Sequence, residues 1–169
     1  PPVEVELPEL FIVNFMLPLT APEMPSMFGP TTEVNGPTVS FHFVMRLSEW
    51  TRANTDHPSV QLLARFLSDC QGGMRERLKI IVQVANPDEL NLGRAERGLY
   101  RSYNGLPFLY RAYNSKYHTG PGWFQADFDG HKSGYTTRLA RHALLSFASR
   151  IVANVAFLVE AETDDEMPE

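Results

Sequence analysis

Residues 135–154 read YTTRLARHALLSFASRIVAN. Leu139, Ala143, Ser146, Phe147 and Arg150 trace one stripe at helical spacing. Leu144, Leu145 and Ala148 widen that stripe, so much of the segment is expected to be buried. Its small residues, among them Ala140, Ser149 and Ala153, let a helix lie close on a sheet. The pattern predicts one long C-terminal helix from Tyr135 to about Asn154, with Val155–Val159 finishing as a buried strand. That reading sets the expected architecture. It is α+β, a mostly antiparallel curved sheet packed against a long C-terminal helix and one shorter amphipathic helix.

Upstream, LFIVNFMLPL (10–19) is a near-continuous apolar run of strand length that Pro18 should end. Residues 20–37 hold four prolines and two glycines, which predicts a long Pro-rich loop. TVSFHFVMRL (38–47) alternates, with Val39, Phe41, Phe43 and Met45 on one face and His42 on the other. The period changes in DHPSVQLLARFLSDC (56–70). Val60, Leu63, Ala64 and Leu67 make a helical stripe, Pro58 suits its first turn, and Gly72 or Gly73 can end it. Residues 74–85 return to strand character, with Leu78 to Val84 as the apolar centre.

At 169 residues the chain has the size of one domain with a real core. It opens Pro-Pro and closes Met167-Pro168-Glu169, so 1–169 reads as a single domain with both ends cut from something longer. One cysteine, Cys70, excludes an intrachain disulfide and points to a reducing compartment, cytoplasmic or organellar. The nearest approach to a membrane span, Leu139 to Val159, is broken by Arg141, His142 and Arg150. Charge is unevenly spread: Lys/Arg against Asp/Glu count 6 to 11 over 1–93, 9 to 3 over 94–150 and 0 to 6 over 151–169. The net charge of −5 argues against a nucleic-acid partner. The basic middle can meet an acidic partner or anionic headgroups. The terminal ETDDE (162–166) reads as a solvated acidic exit.

Two constellations could carry function. LYRSYNG (99–105) recurs as LYRAYNS (109–115), and Asn104-Gly105 between them is a hairpin signal. As paired strands these would set Arg101 and Tyr103 on one face, and Arg111 and Tyr113 likewise, for cross-strand pairing or cation–π contact. The second is GPGWFQADFDGH (120–131). In a strand over Trp123–Asp129, the side chains of Trp123, Gln125, Asp127 and Asp129 share one face, the carboxylates roughly 7 Å apart. They can be a salt-bridged strand face, paired with Arg101 or Arg111, or a partner contact. A divalent ion would need four or more further oxygens, and His118 and His131 match no metal spacing. No Ser/His/Asp arrangement, phosphate-binding glycine loop or Cys/His cluster is present.

Several segments then align, in order, with one known pattern. Phe11-Ile-Val-Asn14-Phe-Met-Leu-Pro18 resembles a "VNLQVP"-type strand, and Ala64-Arg-Phe-Leu67 fits the helix that follows. Arg77-Leu-Lys79-Ile-Ile81 resembles "RFKLIP", and Pro107 matches a central proline. Trp123-Phe-Gln-Ala-Asp127-Phe-Asp129 resembles "YLEIDVD"; Ala156-Phe-Leu-Val-Glu160 with Glu166-Met-Pro168-Glu169 resembles "AFLIE…ELPE". Together they resemble the C-terminal domain of plant enhanced-disease-resistance-two proteins, a domain of unknown function. That domain normally opens with an "F-x-V-R-G"-type segment and continues into a further strand, neither of which matches here. Gln125 stands where the family has Glu. The resemblance implies a setting of membrane signalling or lipid handling, because in plants the domain accompanies lipid-binding modules. It implies no catalytic residue and no cofactor.

The expected function is a non-catalytic binding module for a lipid or membrane-associated protein partner, peripheral to a membrane. Arg101, Tyr103, Arg111, Tyr113, Trp123, Asp127, Asp129, Arg138 and Arg141 are the candidate contact residues. The alternative is a structural accessory subunit of a larger assembly. More remote is a metal-dependent enzyme using Asp127 and Asp129.

Overall fold

The computed structural model describes residues 6–21, 36–109, 115–145 and 147–167. The Pro-rich loop expected over 20–37 lies mostly outside these. Seven strands form two sheets: β1 (Leu10–Pro18), β2 (Thr38–Arg46), β3 (Leu78–Val84), β4 (Pro107–Leu109), β5 (Ser115–Gly120), β6 (Trp123–Asp129) and β7 (Ala153–Val159). The four-stranded sheet runs β2-β1-β6-β5 and the three-stranded one β4-β3-β7. The α-helices are short: α1 (Glu49–Ala53), α2 (Pro58–Asp69), α3 (Arg94–Tyr103) and α4 (Tyr135–Leu145).

The single, mostly antiparallel sheet is therefore corrected. In the larger sheet β1 pairs antiparallel with β2 but parallel with β6, and β5 returns antiparallel on β6. The β5–β6 turn is Pro121-Gly122, with Gly122 at φ 75°. Proline before a glycine at positive φ suits a type II turn. Strand alternation then sorts the sheet. Phe11, Val13, Phe15, Phe124, Ala126 and Phe128 face inward and are buried. They meet Leu62 and Phe66 of α2 and Leu78 and Ile80 of β3 in one core. Phe157 of β7 joins the sheets, its ring 6.3 Å from Phe15 and 5.5 Å from Phe43. Each such buried aromatic or aliphatic side chain contributes roughly 1.5–3 kcal/mol through apolar burial. In α2 the buried positions are Val60, Leu62, Ala64 and Phe66; Leu63 and Leu67 are only partly covered.

The long C-terminal helix is also corrected, because α4 ends at Leu145. Residues 147–150 form turns, closed by Arg150 N–H on the Phe147 carbonyl at 2.8 Å. Asn86 then holds the chain: its amide donates to the Arg150 carbonyl at 2.9 Å and accepts the Val152 N–H at 2.8 Å. From Ala153 onward every residue of β7 pairs with β3. A helix continued to Asn154 would forgo that ladder, and helix propensity is too weak a preference to compete with it.

The hairpin expected at Asn104-Gly105 is a helix end instead. Leu99–Tyr103 lies in α3, and Asn104 is its C-cap, donating its N–H to the Tyr100 carbonyl. Gly105, at φ 74°, donates to the Val82 carbonyl at 3.0 Å, while the Asn104 side chain accepts the Val84 N–H at 2.6 Å. A glycine free to take positive φ serves a helix exit as well as a turn. The second copy of the echo falls mostly on residues 110–114, outside the described residues.

Two buried titratable groups support the core. Cys70 closes α2, and burial raises its thiol pKa. Tyr117 stacks on Phe124 and donates its hydroxyl to the Arg75 carbonyl at 2.8 Å. Burial pushes its phenol up to about 12 from 10.0. A raised folded-state value means the neutral phenol's contribution is full below pH 10 and declines as the pH rises toward 12. We predict that stability falls by at most ~3 kcal/mol over that window. Urea unfolding between pH 9 and 11 should show the decline for the natural protein and a shallower one for Tyr117→Phe. Equal slopes would refute it.

Candidate functional site

The outer face of the larger sheet answers the question posed by Asp127 and Asp129. Their register sets Asn14 between His42 on β2 and Asp127 on β6. Asp127 Oδ1 accepts from Asn14 Nδ2 at 2.7 Å and Gln125 Nε2 at 2.8 Å, and Oδ2 lies 3.1 Å from His118 Nε2. His42 Nδ1 meets Asn14 Oδ1 at 2.7 Å. The result is a polar row across all four strands. Asp129 accepts the His131 backbone N–H at 3.0 Å, faces the His131 ring at 3.0 Å, and lies 3.9 Å from Lys132. His131 Nε2 reaches the Thr38 hydroxyl at 3.1 Å. Both carboxylates are thus engaged by neighbours, none of which is Arg101. No group of three or more His, Cys, Asp or Glu side chains among the described residues is placed to hold a metal ion. Trp123 lies half-buried at the head of β6, its indole so close over Gly120 that a Cβ there would collide with it.

Arg101 sits on a different surface with two residues that the strand reading missed. On α3, Arg94, Arg97 and Arg101 fall at i, i+3 and i+7, one face of a helix, and all three are exposed. The flank beside it is fixed by Tyr100, which packs with Phe147 and Ile151 against Val84, Leu90 and Leu92. The three arginines, with Leu92 and Gly98, line an open groove of about 490 Å³. Arg97 Nε donates to the Leu92 carbonyl at 3.0 Å, which holds that guanidinium at the groove wall. No ion pair among the described residues involves any of the three. Like charges at this spacing cost a helix roughly 0.2–0.5 kcal/mol per pair, so the face suits an anion from outside. The RxxRxxxR spacing was the available signal; the echo of Arg101 with Arg111 drew it into a strand.

Of the remaining candidates, Tyr103 ends α3 and its side chain is outside the described residues, as are Arg111 and Tyr113. Arg138 and Arg141 lie on α4, which packs against α3 and the end of β1. Arg141 Nη1 donates to Ser133 Oγ at 2.8 Å and points at the Gly130 carbonyl at 3.4 Å. Arg138 is buried. The structure therefore separates the candidates into a sheet face (Trp123, Asp127, Asp129), an arginine groove (Arg101) and a helix behind it (Arg138, Arg141). No helix among the described residues is long and apolar enough to cross a membrane.

One protein-family model, described as Protein ENHANCED DISEASE RESISTANCE 2, C-terminal, matches residues 2–169, essentially the whole chain. No curated protein and no solved structure matches it.

Proposed function

The chain belongs to the Protein ENHANCED DISEASE RESISTANCE 2, C-terminal, family, and from that premise we propose that it is a non-catalytic binding module. Its partner is an anionic lipid surface, met through the arginine side of α3. The observation that carries this reading is the groove lined by Arg94, Arg97 and Arg101, whose charges no neighbouring carboxylate neutralises among the described residues. Three guanidinium groups on one exposed helix face match the spread negative charge of a headgroup layer. Each contributes about 1 kcal/mol near an anionic membrane, so three give roughly two decades of affinity. Attraction of this kind is screened over about 8 Å at physiological salt. The lipid-handling setting implied by the family resemblance points the same way.

Vesicle flotation tests it. The protein should float with vesicles of phosphatidylcholine and phosphatidylserine, not with phosphatidylcholine alone, and binding should weaken at high salt. Arg97→Glu with Arg101→Glu should abolish it. Equal flotation with neutral vesicles, or indifference to salt, would sink the reading.

Gly98 adds a separate check. It lies in the groove, a Cβ there would meet nothing within 4 Å, and its φ is not positive. Neither packing nor backbone geometry requires glycine, which costs a helix interior about 1 kcal/mol against alanine. Gly98→Ala should raise stability by about 0.5–1 kcal/mol in urea unfolding while weakening flotation, because the methyl narrows the groove. A gain in stability with flotation unchanged would remove the groove from the mechanism and leave only surface charge.

A further inference from the structure

Arg138 is almost fully covered, and two of its three guanidinium nitrogens are left without a hydrogen-bond partner among the described residues. It is 5% exposed, and the two are Nε and Nη1. An arginine keeps its proton in a protein, so burial cannot be relieved by neutralisation as it would be for lysine. The other covered arginines are provided for. Arg77 holds Glu166 and Glu162 at 2.8 Å each. Arg75 has one unpartnered nitrogen, but its Nη2 donates to the Ser115 carbonyl at 2.7 Å. A buried unpaired cation is a large destabilising feature, and natural sequences keep one where something else supplies the counter-charge.

Among the described residues, its neighbours in sequence supply none. Arg138 follows the Gly130–Lys132 turn at the start of α4, with Arg141 and His142 one turn further on. His131 and Lys132 precede it, and the one acidic group close in sequence, Asp129, is taken by those two. Gly130 fixes where this cluster sits. A Cβ there would press on the Met16 carbonyl, on Leu17 and on Arg141 Nη1. Basic side chains thus gather where β1 and β6, the parallel pair, both end. Arg138 does not line the α3 groove, so this location is distinct from the proposed lipid face.

We propose that Arg138 anchors an internal site for a phosphate group. Nε and Nη1 open from different edges of the guanidinium, and a two-oxygen carboxylate satisfies one edge. A phosphate, free or carried by a lipid headgroup, offers more acceptor oxygens and suits locally cationic surroundings. The site stands independently of membrane docking through α3.

Thermal unfolding of the full chain tests this, with inorganic phosphate titrated against sodium chloride at matched ionic strength and pH. A parallel arm uses short-chain phosphatidic acid against short-chain phosphatidylcholine. Phosphate or phosphatidic acid should raise Tm by roughly 5–10 °C at a hundredfold excess over the dissociation constant. A rise with inorganic phosphate identifies the free ion as sufficient; a rise with phosphatidic acid alone identifies the lipid phosphate, and either supports the site. Arg138→Met should abolish the shift, as should Arg138→Lys, which keeps the charge but not the planar donors. Arg101→Gln should keep it. In chloride alone Arg138→Met should be at least as stable as the natural protein, because it removes the unpaired charge. No rise in either arm overturns the proposal. So does an Arg138→Met protein that unfolds at lower temperature in chloride, which would make Arg138 a structural residue.

Discussion

Glu166→Gln is expected to destabilise the fold by about 3–5 kcal/mol. The 162–166 segment, expected to be a solvated acidic exit, is corrected at this residue: Glu166 is 5% exposed. It receives Arg77 Nη1 at 3.0 and 2.8 Å, the Glu162 N–H at 2.8 Å and Arg65 at 3.1 Å. The segment that carries it packs on α2, and Glu160 N–H bonds the Arg77 carbonyl at 2.9 Å. One carboxylate therefore ties the C-terminal turn to α2 and to the start of β3. Glutamine keeps the shape but leaves two arginines facing a neutral group. Domains of this kind have only about 5–15 kcal/mol in total, so the loss is severe. Urea unfolding measures it; a change below 1 kcal/mol would mean the ion pairs are solvent-screened and not structural.

The same carboxylate sets an acid limit. The Glu162 N–H, followed by Arg77 and Arg65, holds its pKa below 4.5 against the opposing effect of burial. A depressed folded-state value means that its contribution is full above pH 4.5 and is lost as the pH falls through that lower value. Glu166→Gln should flatten this part of the acid-unfolding curve. Replacing Arg77 as well, by methionine, should recover part of the loss, because the penalty lies in the partner left unpaired.

Phe124→Ala should cost a similar amount, about 3–5 kcal/mol, by leaving a cavity in the middle of the core. Phe124 is 1% exposed, and its ring centroid lies 4.8 Å from Phe11, 5.7 Å from Phe66 and 5.8 Å from Tyr117. It thus joins β1, β5, β6 and α2, and no single neighbour can move to fill the space. Phe41, on the edge strand β2 and 38% exposed, is the control: Phe41→Ala should cost less than 1 kcal/mol. Denaturant titrations of both variants decide it. Phe41 pairs with Phe15 and shares its face of the sheet, so equal losses would mean that the edge strand is covered as deeply as the centre.

Much of this sorting was legible in the sequence. The apolar run at 10–19, the alternation at 38–47 and the stretch 123–129 gave strands close to their observed limits. Proline at 58 and the stripe from Val60 gave α2. The shared face of Asp127 and Asp129 was legible too, because side chains alternate strictly along a strand. Their partners were not. Asn14 lies far away in sequence and reaches Asp127 only through the parallel register of β1 with β6, and His118 reaches it only through the antiparallel pairing of β5 with β6. The arginine groove was half legible. Arg101 was singled out, yet Arg94 and Arg97 join it only once 94–103 is a helix.

What the chain determines by itself is local: the period of each apolar pattern, the residues that can take positive φ, and the uneven distribution of charge. Those properties arise from sterics and solvation within a few residues. Tertiary structure decided what local preference leaves nearly balanced. Asn104-Gly105 could turn a hairpin or close a helix, and pairing of the adjoining Val82 and Val84 backbone with that corner selected the helix end. Residues 146–154 could extend α4 or feed a strand, and the open edge of β3, offering seven paired positions, selected β7. The burial of Arg138 and of Glu166 belongs to the same level, because whether a charge is solvated depends on which distant surfaces close over it.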